Sequence, residues 1–348
     1  MKIAYQWHRY LGWVLAPLLS VSALTGVTLL WLQPLPSPQA SPPTVHEWGR
    51  VLDRGMVELA SRYPTAKADL VDLPRGADAP IRVHLRMAQP SESGWAEIDP
   101  ARGTAGELQP DSRDLKTQLF ELHEQLLLGE VGPWVLRASA LLALISITMG
   151  LRVWWRVRRL PARSSWQKWH RWTGPVAILP LAMMLSTGFV LRSPELASGA
   201  LSPFAGGGSV APPPAGQAAT AGQRSTLGQA LVAASVALPQ ARPIRIYAAR
   251  GGVLRVRLRV DEWNPFGFHS VYLREADASV LRIVRASEQP LAVRYLNVVY
   301  PLHTGWLPGN QGIAAALVAR GLWTLFALSL AALSLSGAVQ RFRKKSKR

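Results

Sequence analysis

The sequence predicts an α-helical membrane protein: four transmembrane helices in two parallel repeats, each repeat carrying an extracytoplasmic α+β domain. Three observations lead there. Apolar stretches at 1–32, 133–155, 169–191 and 312–340 are each long enough to cross about 30 Å of hydrocarbon. The first and third are copies: WHRYLGWVLAPLLSVSALTGVTL at 7–29 and WHRWTGPVAILPLAMMLSTGFVL at 169–191 share nine of 23 aligned residues. The charges are sorted. All 21 acidic residues lie in 33–132 and 192–311, nearly balanced there by 22 basic ones, although the chain as a whole carries +18.

Residues 1–32 begin with Lys2 and Arg9 and an apolar run too long for a signal-peptide core. The run recurs internally, so it is expected to remain as a membrane anchor. In 33–132 a helix is expected at about 44–61, from the spacing of Val51, Leu52, Val57 and Leu59. Strands follow in ADLVDL, PIRVHLRM and GWAEIDP, and IDPARGTAGEL folds back through Asp99, Pro100 and Gly103. Residues 113–128 read as an amphipathic helix lying at the membrane surface before the second span, 133–155. The loop 156–168 and its flanks carry Arg152, Arg156, Arg158, Arg159, Arg163, Lys168 and Arg171 without an acid, and the tail 341–348 is equally basic. The positive-inside rule puts this loop, the tail and the N-terminus in the cytoplasm.

After the third span, 192–311 repeats the first loop. Residues 203–224 are a flexible Gly/Pro/Ala segment, and a helix is expected at about 225–238. Strands follow in PIRIYAA, VLRVRLRV, HSVYLRE and SVLRIVRA; alternation in LRVRLRV implies one wet and one buried face. Trp7, Trp31, Trp134, Trp154, Trp155, Trp169, Trp172 and Trp306 cluster near span ends, where amphipathic rings settle. Repeats that each contain two spans enter the membrane from the same side, about an axis along its normal.

Several chemistries are excluded. With no cysteine there are no disulfides, thiolate clusters or covalently attached haem. The sorted charge argues against nucleic acid as a partner. No G-x-G-x-x-G opens a βαβ unit, so flavin or nicotinamide binding has no candidate.

The candidates are four duplicated histidines. His8 and His170 start spans one and three. His123 and His303 precede spans two and four, in FELHEQLLLGEVG and YPLHTGWLPGNQG. Two imidazoles on opposite sides of a porphyrin iron make a six-coordinate haem b, and axial ligands of one iron must lie close together. Topology therefore pairs His8 with His170 and His123 with His303, one haem near each face. Arg137 and Arg320, the charges well inside spans two and four, are candidates for the outer haem's propionates, and Arg9 and Arg171 for the inner haem's. Bland readings stand beside these: interfacial histidines, arginines that snorkel, and packing glycines at Gly12, Gly26, Gly174 and Gly188. His46, His84 and His269 lack repeat partners and read as ordinary surface or core residues. No second ligand sits at i+3 or i+4, which disfavours zinc.

W-H-R-x-x-G at 7–12 and 169–174, T-G at 25–26 and 187–188, and L-H at 122–123 and 302–303 resemble the PepSY-associated transmembrane family, which includes bacterial inner-membrane ferric-siderophore reductases. The loop domains look PepSY-like, the first ending in the D-P-x-x-G hairpin at Asp99–Gly103. The second has Arg274-Glu275 in that place and matches by order more than by motif. The resemblance implies a di-haem reductase in the bacterial inner membrane, with both termini cytoplasmic and two periplasmic loops. It would take electrons from quinol or a separate donor and reduce a ferric siderophore or another ferric chelate for iron uptake. The alternative is a non-enzymatic membrane-anchored module that binds or inhibits a peptidase or assists an assembly.

Overall fold

A computed structural model of the protein describes residues 2–33, 35, 44–74, 79–111, 114–162, 164–201, 214–216, 224–260, 268–305 and 313–345. Most of the 203–224 segment, and Trp306, lie outside the described residues. The chain is a membrane protein: α1 (Lys2–Trp31), α4 (Gly132–Val157), α5 (Ser165–Leu191) and α9 (Ile313–Lys345) each contain a stretch long and apolar enough to span a bilayer. Proline inside α1 and α5 is compatible with this, because neighbouring helices and side chains satisfy the freed backbone groups. Trp7, Trp134, Trp155 and Trp172 near the helix ends are more than half exposed.

Between α1 and α4 run α2 (Val45–Arg62), β1 (Lys67–Asp72), β2 (Ile81–Arg86), β3 (Gly94–Ile98), β4 (Gln109–Pro110) and α3 (Leu115–Gln125). Between α5 and α9 run α6 (Pro194–Leu201), α7 (Leu227–Ala237), β5 (Arg242–Arg250), β6 (Val253–Arg259), β7 (Phe268–Arg274), β8 (Val280–Val284) and α8 (Leu291–Thr304). Both α2 and α7 begin with a capping box, Thr44 with Glu47 and Thr226 with Gln229. Each box satisfies two orphan donors reciprocally.

The expected pair of domains is modified in one respect. All eight strands join one antiparallel sheet in the order β4-β3-β2-β1-β5-β6-β7-β8. The seam is β1 against β5, with Val71 opposite Ile246 and Asp72 opposite Arg245. A four-stranded sheet alone would leave β1 or β5 as an open edge, and pairing the two closes both. Val71 and Ile246 face a common core with Leu52, Leu59, Val83, Ile98, Leu231, Val256 and Leu273, beneath α2 and α7. Asp72 and Arg245 form an ion pair on the opposite face. The two helices touch where Gly49 meets Gly228, and Asp53 of α2 accepts from Gly228 N at 2.8 Å and Thr226 Oγ1 at 2.7 Å, at the start of α7.

The hairpins after β3 and β7 share one geometry despite their different sequences. Asp99 N donates to Thr104 O and Gly103 N to Asp99 O; Arg274 N donates to Ser279 O and Ala278 N to Arg274 O. Gly103 and Ala278 hold the same left-handed turn, at φ 72° and 55°. The segment expected as an amphipathic surface helix over 113–128 is helical only over Leu115–Gln125. Leu126 and Leu127 are left-handed, and α3 packs against α1 and α4.

Candidate functional site

Each repeated histidine stands near a helix end. Ser164 caps α5 by accepting from Gln167 N, so the helix is formed by the time it reaches His170; His8 lies near the start of α1. His123 and His303 occupy the last turns of α3 and α8. The ring centres of His8 and His170 are 6.1 Å apart with planes inclined by 52°, and those of His123 and His303 are 6.1 Å apart at 48°. His8 and Thr25, the latter a contact of His123, are 17 residues apart on α1, or about 26 Å along its axis. The two pairs therefore sit near opposite ends of the helical bundle.

Hydrogen bonds fix which ring nitrogen is free. His8 Nδ1 lies 2.8 Å from the Ser146 carbonyl, which can only accept, so Nδ1 carries the proton. The Thr25 hydroxyl donates to Val21 O at 2.8 Å and so accepts from His123 Nδ1 at 3.0 Å. Thr187 repeats this, donating to Met183 O at 2.7 Å and accepting from His303 Nδ1 at 3.1 Å. Ser336 donates to Leu333 O at 2.8 Å and accepts from His170 Nδ1 at 2.8 Å. With Nδ1 donating, a neutral ring carries its lone pair on Nε2, which is the arrangement of a metal-ligating imidazole with an oriented tautomer.

The duplicated glycines divide into two kinds. A Cβ on Gly26 would lie 3.1 Å from His123 Cε1, and one on Gly188 would lie 3.1 Å from His303 Cε1, so these glycines seat the imidazoles. Gly150 seats His8 the same way, at 2.8 Å. Gly12 and Gly174, one turn beyond His8 and His170, have nothing within 4 Å of the added carbon.

The four arginines are less uniform. Arg137 donates through Nε to the Arg192 carbonyl at 2.7 Å and lies 4.5 Å from the Trp134 ring centre. Arg192 in turn pairs with Glu124 at 2.8 Å, tying α5 to α3. Arg320 is 4% exposed and lies near Trp31. Arg9 lies over Tyr5, and Arg171 donates to the Leu160 carbonyl. None of these contacts is with a repeated histidine.

The sequence reading passed over Ser146 and Ser336. Each is one of several polar residues in its span, beside Ser139 and Thr148 in α4 and Thr324, Ser329 and Ser334 in α9, so no local signal singles it out. His84, which has no repeat partner, lies between two carboxylates. Its Nδ1 is 2.6 Å from Asp69 and its Nε2 3.0 Å from Asp111. Burial pulls its pKa down, but the bonds to Asp111 and Asp69 outweigh this and leave it raised.

Two imidazoles on opposite sides of one metal ion, each bound at about 2 Å, hold their ring centres roughly 6 Å apart. Both pairs meet that spacing. Among the described residues no group of three or more His, Asp or Glu side chains could hold a metal ion. Each pair thus offers two ligands, and a metal bound there must bring the rest. The open space at Gly12 and Gly174 suits a flat macrocycle beside the His8–His170 pair. The family model for the PepSY-associated TM region matches residues 5–345. No curated protein matches the chain.

Proposed function

The chain belongs to the PepSY-associated TM family, and from that premise we propose that it is a di-haem reductase of the bacterial inner membrane. It moves electrons outward to ferric chelates, ferric siderophores foremost, and so serves iron uptake. The observation that carries this reading is the pair of like sites: two histidine pairs at 6.1 Å, each Nδ1 within hydrogen-bond distance of a serine or threonine hydroxyl, and no third ligand among the described residues. A tetrapyrrole would bring its own four nitrogen ligands, and each histidine pair would supply two more. His8 and His170 would hold one b haem, His123 and His303 the other. Bound there, haem supplies a one-electron ferric/ferrous couple.

The protein's own residues do the rest. Ser146, Thr25, Ser336 and Thr187 hold the imidazoles in the ligating tautomer. Gly26, Gly188 and Gly150 let the rings approach the helix backbones. Arg9, Arg171, Arg137 and Arg320 remain the candidates for propionate partners. By the positive-inside rule, the basic loop and tail support a topology with both termini in the cytoplasm and the sheet in the periplasm. The sheet order, read from its centre outward, runs through β1–β4 on one side and β5–β8 on the other, which supports two parallel repeats. With quinol as donor, one molecule releases two electrons and two protons and reduces two ferric ions to ferrous. Ferrous iron is held less tightly by hard oxygen donors and leaves the chelate.

The test is the visible spectrum of the detergent-purified chain, oxidised and dithionite-reduced, with pyridine haemochrome quantification. Two b haems per chain are expected, with about one lost on His8→Ala or His303→Ala. A colourless protein after expression with added haem would overturn the reading and favour the non-enzymatic PepSY module.

A further inference from the structure

Strands β5 to β7 turn one side chain in two toward the core; the opposite face carries Arg245, Tyr247, Arg255, Arg257, Ser270 and Tyr272. The register sets them side by side, Arg245 across from Arg257, Tyr247 from Arg255, and Arg255 from Tyr272. The Arg255 and Arg257 guanidinium groups lie 5.0 and 5.3 Å from the Tyr247 ring centre, and Arg257 also lies 4.6 Å from that of Phe268. Asp72 takes Arg245. Arg255 donates to the Ser270 hydroxyl at 3.2 Å, and Arg257 Nε is buried without a hydrogen-bond partner among the described residues. Like charges held this close in a half-buried layer repel, and an anion relieves that repulsion. Arginine forks match carboxylate oxygens bidentately, and a guanidinium also makes charge-assisted hydrogen bonds to other anionic oxygens.

We infer that this face of the sheet is the docking site for an anionic ferric chelate, one whose outer oxygens are catecholate or carboxylate. The inference rests on the reductase reading and names its substrate class. The Arg255 guanidinium also lies 5.8 Å from the Tyr272 ring centre, so aromatic rings on this face add cation–π attraction that holds the guanidinium groups in place.

The experiment titrates the full chain in detergent with a trianionic ferric tris-catecholate and, separately, with a neutral ferric tris-hydroxamate, following tryptophan quenching. The catecholate should bind, and Arg255→Gln with Arg257→Gln should weaken it by about tenfold or more. Added salt should weaken it too, while the neutral chelate responds to neither change. Arg257→Lys, which keeps the charge and loses the fork, should fall between. Wild-type affinity in the double variant, equal binding of the neutral chelate, or displacement of the catecholate by anionic lipid micelles would overturn the assignment. Binding is read without reduction. Loss of the assignment with haem retained therefore leaves the reductase standing, whereas a colourless protein that still binds the chelate sinks the reductase alone.

Discussion

At Thr187 one hydroxyl serves two partners, giving its proton to Met183 and receiving that of His303. Thr187→Val keeps the shape and leaves the imidazole N–H without its acceptor. On the proposed di-haem reading, loss of such an outer contact should weaken haem binding by about 10–100-fold, to be read as haem retained on dilution, with Thr187→Ser restoring it. His84 supplies a pH prediction. Its pKa is raised, so its contribution to stability is full below the ordinary value of 6.5 and fades as pH rises through the raised value. Asp69 is the mirror case. Burial raises its pKa, but Arg86 and His84 prevail and hold it below 3.8, so its contribution is full above 3.8 and fades as pH falls through the lowered value. The cluster is strongest between those limits, and Asp111→Asn should flatten the alkaline limb of a thermal-melting profile against pH. The repeated histidines were legible in the sequence because duplication marks them. The two carboxylates on His84 were not, since Asp69 and Asp111 reach it only through the strand pairing and the turn after β4.

Among the elements, the two hairpins show how one backbone accepts unlike sequences. Gly103 takes positive φ freely, whereas Ala278 holds φ 55° at a steric cost of about 1–2 kcal/mol. Ala278→Gly should therefore stabilise the chain by about 1 kcal/mol, measured as a shift in the denaturation midpoint. The expected helices at 44–61 and 225–238 were legible from apolar spacing, and both formed close to those bounds. Helix α3 was read too long. Leucines at 126–128 continue its apolar pattern, but the left-handed pair Leu126–Leu127 and the close approach of Gly132 to the Gln125 backbone turn the chain into α4. Only Gly, with no Cβ, fits that approach.

For the molecule as a whole, the β1–β5 seam makes one sheet of two loops separated by a pair of spans. Ile246 is fully buried at that seam, and Ile246→Ala should cost about 2–5 kcal/mol. Hydrogen exchange should then rise in β1 and β5 together, because each covers the other's edge. Independent loop domains would instead confine the change to β5. By itself the sequence determined the four apolar helices, the strand segments and the duplication of histidines, because these rest on local periodicity, composition and internal comparison. Tertiary structure alone decided that β1 pairs with β5, that Ser146 and Ser336 hold His8 and His170, and that Arg255 and Arg257 lie beside Tyr247. Those outcomes depend on register between segments far apart in the chain, and a period of two or 3.6 residues carries no information about which distant segment will lie alongside.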